Sequence, residues 1–278
     1  MGKYTSMRRN PIFIFAPAMV MLIFGLSLIS QPQAFGKQHE IIKEQILRTE
    51  AKTSIVQAQS FDSFLYQRFL TDIAGSEAVV VNKLRPLNPL DFAPLEMREL
   101  KSSESLENPR SLKMVATAAT ALEALANEMF LAKAGQLFMN SGYRSYDYQL
   151  ELFESKTEQY GLAGALIRSA KAGHSEHQTG LTMDVSVQAQ GCAIMQCFGE
   201  TKGGKWLADN AWQFGFIVRY EDGTQAVTGY TYEPWHLRFV GKNIAKLYHE
   251  GDFSTLEEFW GYPAAEFYEE EITESTID

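Results

Sequence analysis

Cysteine is scarce in this chain, with two residues in 278, which excludes a disulfide-dense scaffold and any four-cysteine metal site. Basic residues are in deficit: 25 Lys and Arg stand against 34 Asp and Glu, for a net charge of -9. That balance argues against a partner whose phosphates must be neutralised, so no nucleic-acid role is expected. There is no internal repeat, which removes solenoids and arrays. The 45% apolar content rules out wholesale disorder. At roughly 150 residues per domain, the length admits one large domain or one domain with extras.

The acidic excess is concentrated at one end. Six acidic residues and no basic ones lie between Glu266 and Asp278, so the rest of the chain carries -9 + 6 = -3. A solvated, frayed acidic tail over 263–278 is the expectation. At the other end, Lys3, Arg8 and Arg9 form a basic leader over 1–10. An uncharged apolar run from Ile12 to Ile29 follows. In a helix that run would span about 27 Å, close to the thickness of a bilayer core. The segment 11–30 therefore reads as a membrane anchor, with a cytoplasmic N-terminus and the remainder exported to the cell envelope. Cleavage as a signal peptide, leaving a secreted protein, is the alternative. The run exceeds the usual signal core, and neither Ser30 nor Ala34 makes a good cleavage site, which favours the anchor. In an exported chain, Cys192 and Cys197 are expected to close a small disulfide loop; two free thiols are the alternative.

Residues 31–79 read as a helical neck or linker, with Ile41, Ile42, Ile46 and Leu47 among polar neighbours. The proline-rich stretch from Val81 to Pro94 cannot be a continuous helix and marks the entry to the main domain, placed at 80–262. Within it, residues 111–135 are rich in Ala and Leu and predict a long helix. Leu137–Asn140 reads as a buried strand, and a second helix is expected from Tyr146 to about Thr157. Further strands are expected at Thr182–Val187, Phe216–Tyr220 and Trp235–Val240, with a helix near Trp206–Phe214. Helices first and strands later suggest an α+β domain with flanking helices rather than regular βαβ alternation.

Chemistry concentrates in two segments. His177 stands seven residues before Asp184, across a glycine-containing turn, and Glu233-Pro234-Trp235-His236 follows far downstream. Two imidazoles and a carboxylate make a three-ligand set for zinc with the fourth position open to water, the pattern of catalytic sites. Glu233, three residues from His236, is the natural carboxylate to accept a proton beside the metal. Spacing alone does not separate this set from chance. His174 is a competing ligand, better suited to ordering the loop.

The three blocks Ser141-Gly142-Tyr143-Arg144-Ser145, Ser175-Glu176-His177 through Asp184, and Glu233-Pro234-Trp235-His236-Leu237-Arg238 resemble the signature blocks of the VanY-like D-alanyl-D-alanine carboxypeptidases. The likeness spans roughly residues 80–242. It implies a hedgehog/DD-peptidase-like fold with a small, mainly antiparallel sheet, one zinc per chain and peptidoglycan stem peptides as substrate. It further implies His177, Asp184 and His236 as zinc ligands and Glu233 as general base. Arg144 would engage the substrate near the scissile carbonyl, with Gln149 and Ser175 lining the same pocket. Trp235 reads as packing beside the site, and Arg219 and Arg238 as structural charges. Thr182 departs from the family, which commonly has alanine there. L,D-carboxypeptidase or endopeptidase action is the alternative within the superfamily, and a silent wall-binding module the alternative outside it.

Overall fold

The computed structural model of the chain describes residues 66–271. The expected anchor and most of the neck lie outside them. Among the described residues no helix is long and apolar enough to cross a bilayer.

Strands β2 (Leu106–Glu107), β4 (Leu137–Ser141), β5 (Thr182–Ser186), β6 (Phe216–Tyr220) and β7 (Glu233–Phe239) form one sheet in the order β2-β4-β5-β7-β6. The β2–β4 pair is parallel and the other three pairs are antiparallel. A separate antiparallel pair joins β1 (Met97–Glu99) to β3 (Lys113–Val115). This is the α+β architecture that the sequence predicts, with the mainly antiparallel sheet that the family resemblance implies.

One face of the sheet is covered by helix α1 (Ala116–Leu131), which buries Ala118, Leu122, Leu125 and Met129. These pack with Leu137, Met139, Val185 and Leu237 in a common core. No side chain caps the start of α1, so burial of its apolar stripe rather than capping holds it in place. The helix starts five residues later than composition predicts, because Lys113–Val115 is spent on pairing with Met97–Glu99. A second core forms around Ile217, Ile244, Tyr248, Phe259 and Trp260. It joins β6 to helices α5 (Lys242–Glu250) and α6 (Leu256–Trp260). The remaining helices are α2 (Tyr146–Leu166), α3 (Lys202–Asn210) and the single turn α4 (Gln225–Thr228). Ser145 caps α2 by accepting from the Tyr148 amide at 3.2 Å, and the helix runs past Thr157 with a break at Gly161. Cys192 and Cys197 are joined in a disulfide, with Cα atoms 5.6 Å apart.

Both expected boundaries of the catalytic domain differ from what the structure contains. Ala74 and Val79, assigned to the neck, belong to the main core. The first part of the acidic tail is packed rather than frayed: Ala265 and Tyr268 are buried. The Ala265 amide donates to Val227 O at 2.7 Å, and buried Lys83 donates through Nζ to Glu266 O at 2.8 Å. Counting charge missed the apolar residues interleaved with the glutamates. Residues 272–278 lie outside the described set.

Candidate active site

Strand register brings the distant motifs together. Asp184 on β5 is paired with Ser141 on β4 and with His236 on β7, and Glu233 is paired with Tyr220 on β6. His177 lies on the 3-10 turn Glu176–Thr179, which ends at Gly180 in a left-handed conformation with φ 70. A side chain at Gly180 would strain that turn and press on Pro94 and Val115, both 3.1 Å from an added Cβ. Glycine there lets the chain reverse from the His177 turn into β5.

His177, Asp184 and His236 are all buried, and one ligand atom from each lies within 4.8 Å of the others. His177 Nδ1 bonds Gly142 O at 2.8 Å, which turns Nε2 towards Asp184 Oδ2, 3.3 Å away. His236 presents Nδ1 to the same centre, 3.4 Å from Asp184 Oδ1 and 3.4 Å from Glu233 Oε2. Its other nitrogen, Nε2, lies 3.3 Å from Glu176 Oε2. Arg144 on the loop after β4 donates to Ser141 Oγ at 3.0 Å, Gln149 Oε1 at 3.3 Å and Asp184 Oδ2 at 3.1 Å. His177, Asp184, His236, Glu233, Glu176, Ser141 and Arg144 line a cavity of about 390 Å³ that also includes Ser175 and Trp235.

The donor set fits a divalent metal. Asp184 Oδ1 is buried without a hydrogen-bond partner among the described residues, an expensive state that an inward-facing cation would relieve. Burial and the Arg144 charge push the His177 imidazole below its ordinary value, keeping it neutral as a ligand must be. For His236, burial opposes the charge, yet the surrounding carboxylates of Asp184, Glu176 and Glu233 prevail and hold the ring well above its ordinary value. Carboxylates that retain a proton there provide the field that retains a metal ion in its place. Burial would raise the Asp184 carboxyl, but His177 and His236 outweigh it and hold Asp184 far below the usual carboxylate range. Burial pushes Glu233 above its ordinary value, against the pull of His236 and Arg144.

Residues 111–242 match the family model described as VanY: D-alanyl-D-alanine carboxypeptidase. Among solved structures, the LdcB LD-carboxypeptidase is 36% identical with a TM-score of 0.60, and the match covers 68% of this chain and 88% of that one. The chain belongs to the VanY-like carboxypeptidase family. A VanY D,D-pentapeptidase from a VanB-type resistance cassette, solved in complex with Zn(II), is 29% identical with a TM-score of 0.52, covering 65% of this chain and 97% of that one. The putative carboxypeptidase YodJ of Bacillus subtilis is 48% identical over 43% of this chain and 44% of its own length. The matched part spans less than half of the first curated relatives, at 44%, 41% and 45% of their lengths.

Within this VanY-like site, His177, Asp184, His236, Glu233, Arg144 and Ser175 all meet at one cavity. Gln149 does not: it is fully buried behind Arg144, anchored through donation to Ser169 Oγ at 3.2 Å and Ala170 O at 2.8 Å. Its position makes it a prop for the arginine rather than a substrate contact. His174 is likewise away from the metal centre, with Nδ1 2.9 Å from Asn82 O and its ring against Tyr268.

Sequence reasoning passed over Glu176. Its Oε1 accepts from Arg219 Nε and Arg238 Nη1, both at 2.8 Å. Burial would raise its carboxyl, but the two guanidinium groups overcome this and keep it ionised. Arg219 also makes a two-bond fork with Glu257 at 2.9 and 2.7 Å. Arg238 Nη2 donates to Val79 O at 2.6 Å. These four side chains are fully buried and connect the metal site to α6 and to the segment before residue 80. The legible signal was Arg219 inside the apolar strand Phe216–Tyr220 and Arg238 within the apolar stretch Leu237–Val240, since buried charge requires partners.

Proposed function

We propose that the chain is a zinc-dependent D-alanyl-D-alanine carboxypeptidase that removes the terminal D-alanine from peptidoglycan stem peptides. The observation that carries the reading is the convergence of His177, Asp184 and His236, with the Glu233 carboxylate 3.4 Å from His236, in one cavity. Zinc held by the three side chains would polarise the scissile carbonyl and acidify water beside it. Glu233 takes the proton of the attacking water, and its burial-raised affinity for protons suits it to pass that proton to the departing amine. Arg144, held by Ser141 and Gln149, offers a fixed cation to the charge that develops on the carbonyl oxygen. The C–N bond breaks as the new C–O bond is retained, giving a shortened stem and free D-alanine.

A second reading is L,D-carboxypeptidase action on a stem ending in a single D-alanine. It is favoured by the 36% identity and 88% coverage of the LdcB LD-carboxypeptidase. Mass spectrometry of products from zinc-loaded protein and stems ending in D-Ala-D-Ala or a single D-Ala separates the two. Loss of one alanine from the longer stem alone supports the first reading, and loss from the shorter stem alone supports the second. No product from either stem overturns both.

The proposed setting is the cell envelope, with the catalytic domain exported and held at the cytoplasmic membrane by the segment 11–30. The basic leader before an uncharged run supports this, as does the Cys192–Cys197 disulfide, a bond favoured in oxidising compartments. Recovery of the full chain in a soluble cytoplasmic fraction would contradict it.

A further inference from the structure

Three cations reach the active-site cavity without an acidic partner among the described residues. Arg110, Lys156 and Arg168 all line it, and among the described residues none forms an ion pair, whereas other basic residues nearby do. Arg144 is paired with Asp184 at 3.1 Å, and Lys171 with Glu270. Arg219 and Arg238 are each paired with Glu176 at 2.8 Å. Three unpaired cations on one cavity are notable in a chain of net charge -9. The cavity's own acids are compensated elsewhere: Glu176 by two guanidinium groups, and Asp184 and Glu233 by His236.

Two of the three cations are held in place. Arg168 donates through Nη1 to Gly164 O at 2.9 Å, and its guanidinium carbon lies 5.3 Å from the centre of the Tyr160 ring. Lys156 Nζ lies 5.5 Å from the same ring. One aromatic side chain on α2 thus gathers two like charges at the cavity wall, an arrangement that gains most when an anion lies between or beside them. Arg110 adds a third charge from the loop before β3.

Position separates this cluster from the reacting centre. Arg144 touches Asp184 directly, so an anion on Arg144 lies at the scissile bond or on the single residue beyond it. Arg110, Lys156 and Arg168 touch neither Asp184, Glu233 nor either ligand histidine. They are therefore cations of the cavity wall rather than of the reacting centre.

Building on the stem-peptide reading, we propose that Arg110, Lys156 and Arg168 form a second carboxylate subsite. It selects peptides that carry a free upstream carboxylate, such as the α-carboxylate of a γ-linked glutamyl residue, over the corresponding carboxamides.

The test uses zinc-loaded protein and two stem peptides that are identical except for carboxylate or carboxamide at that upstream position. The free acid is preferred by about tenfold in kcat/KM, mainly through KM, as expected for a few exposed charge pairs acting together. The preference falls towards unity in the Lys156→Gln/Arg168→Gln double variant, through a larger loss on the free acid than on the carboxamide, and it also weakens at high salt. Equal kcat/KM for the two peptides with wild-type protein overturns the proposal, as does an equal loss on both peptides in the double variant. Equilibrium binding of the same pair to zinc-loaded Glu233→Gln protein gives an independent reading. If neither peptide is cleaved, the hydrolase assignment falls, while the ratio of the two binding constants still decides for or against the subsite.

Discussion

His236 and Glu176 meet at 3.3 Å, Nε2 to Oε2, on the side of the imidazole opposite the nitrogen that faces Asp184. A carboxylate in that position fixes the ring's tautomer and orientation and raises its basicity as a ligand. Glu176 can remain a fully buried anion because Arg219 and Arg238 both donate to its other oxygen. The metal site therefore rests on an ion-pair network in the core.

Glu176→Gln keeps the size of the side chain and removes its charge. It is expected to weaken zinc affinity by about 10–100-fold, the usual effect of losing a partner behind a ligand histidine. Stability falls by about 3 kcal/mol because two buried guanidinium groups lose a counter-charge. Competition with a chromophoric chelator reads the first effect and urea denaturation the second. Unchanged zinc affinity would remove Glu176 from the site.

Glu233→Gln tests a different role. Glu233 is within 3.4 Å of His236, but it is not needed to complete the three-ligand set. Zinc stoichiometry is expected to hold at one per chain, while turnover falls by at least about 100-fold, in line with loss of a general base. A zinc-loaded variant that retains the wild-type rate would shift the proton transfer to another group.

The residues that touch the reacting centre were legible because each lies in a short block with internal spacing. His177 and Asp184 flank one turn, and Glu233 and His236 are three residues apart on one strand. The supports behind them were not legible in the same way. Glu176 stands next to His177 in the sequence, yet its role depends on Arg219 and Arg238, which reach it only after β6 pairs with β7. Gln149 was placed on the pocket wall by the family resemblance alone, whereas its side chain turns inward to Ser169 and Ala170. Strand β3 was read as helix because a pairing with residues 97–99 has no local signal in Lys113–Val115. Local patterns located α1, α2, α3 and four strands of the main sheet, while α4, α5 and α6 went unread; long-range partners decided where the elements began and ended.

Thr182 is the departure from the family pattern that carries a stability cost. Its side chain is fully buried on β5, and its hydroxyl has no hydrogen-bond partner among the described residues. Such a group costs about 1–3 kcal/mol when it is removed from water unpaired. Thr182→Val retains the branched shape that suits a strand and deletes the hydroxyl. The variant is expected to be more stable by about 1 kcal/mol in chemical denaturation, with zinc binding unchanged. A destabilised variant would mean that the hydroxyl is satisfied in solution.

Glu221, just beyond β6, gives the chain a pH-dependent stability of its own. Partial burial, with the carboxylates of Asp252 and Glu258 nearby, pushes its carboxyl up to about 7 from an ordinary value of 4.5. Because the folded state holds this proton more tightly than the unfolded state, the stabilisation is complete below the unfolded value. It is lost as pH rises through about 7. Glu221→Gln removes the titration without removing the side chain's bulk. The variant should match the wild type near pH 4.5 and exceed it by about 1–2 kcal/mol near pH 8, after allowing for screening at a half-buried site. Urea denaturation of both proteins across that range measures the difference, which must widen with rising pH; a constant offset would mean that Glu221 titrates alike in both states.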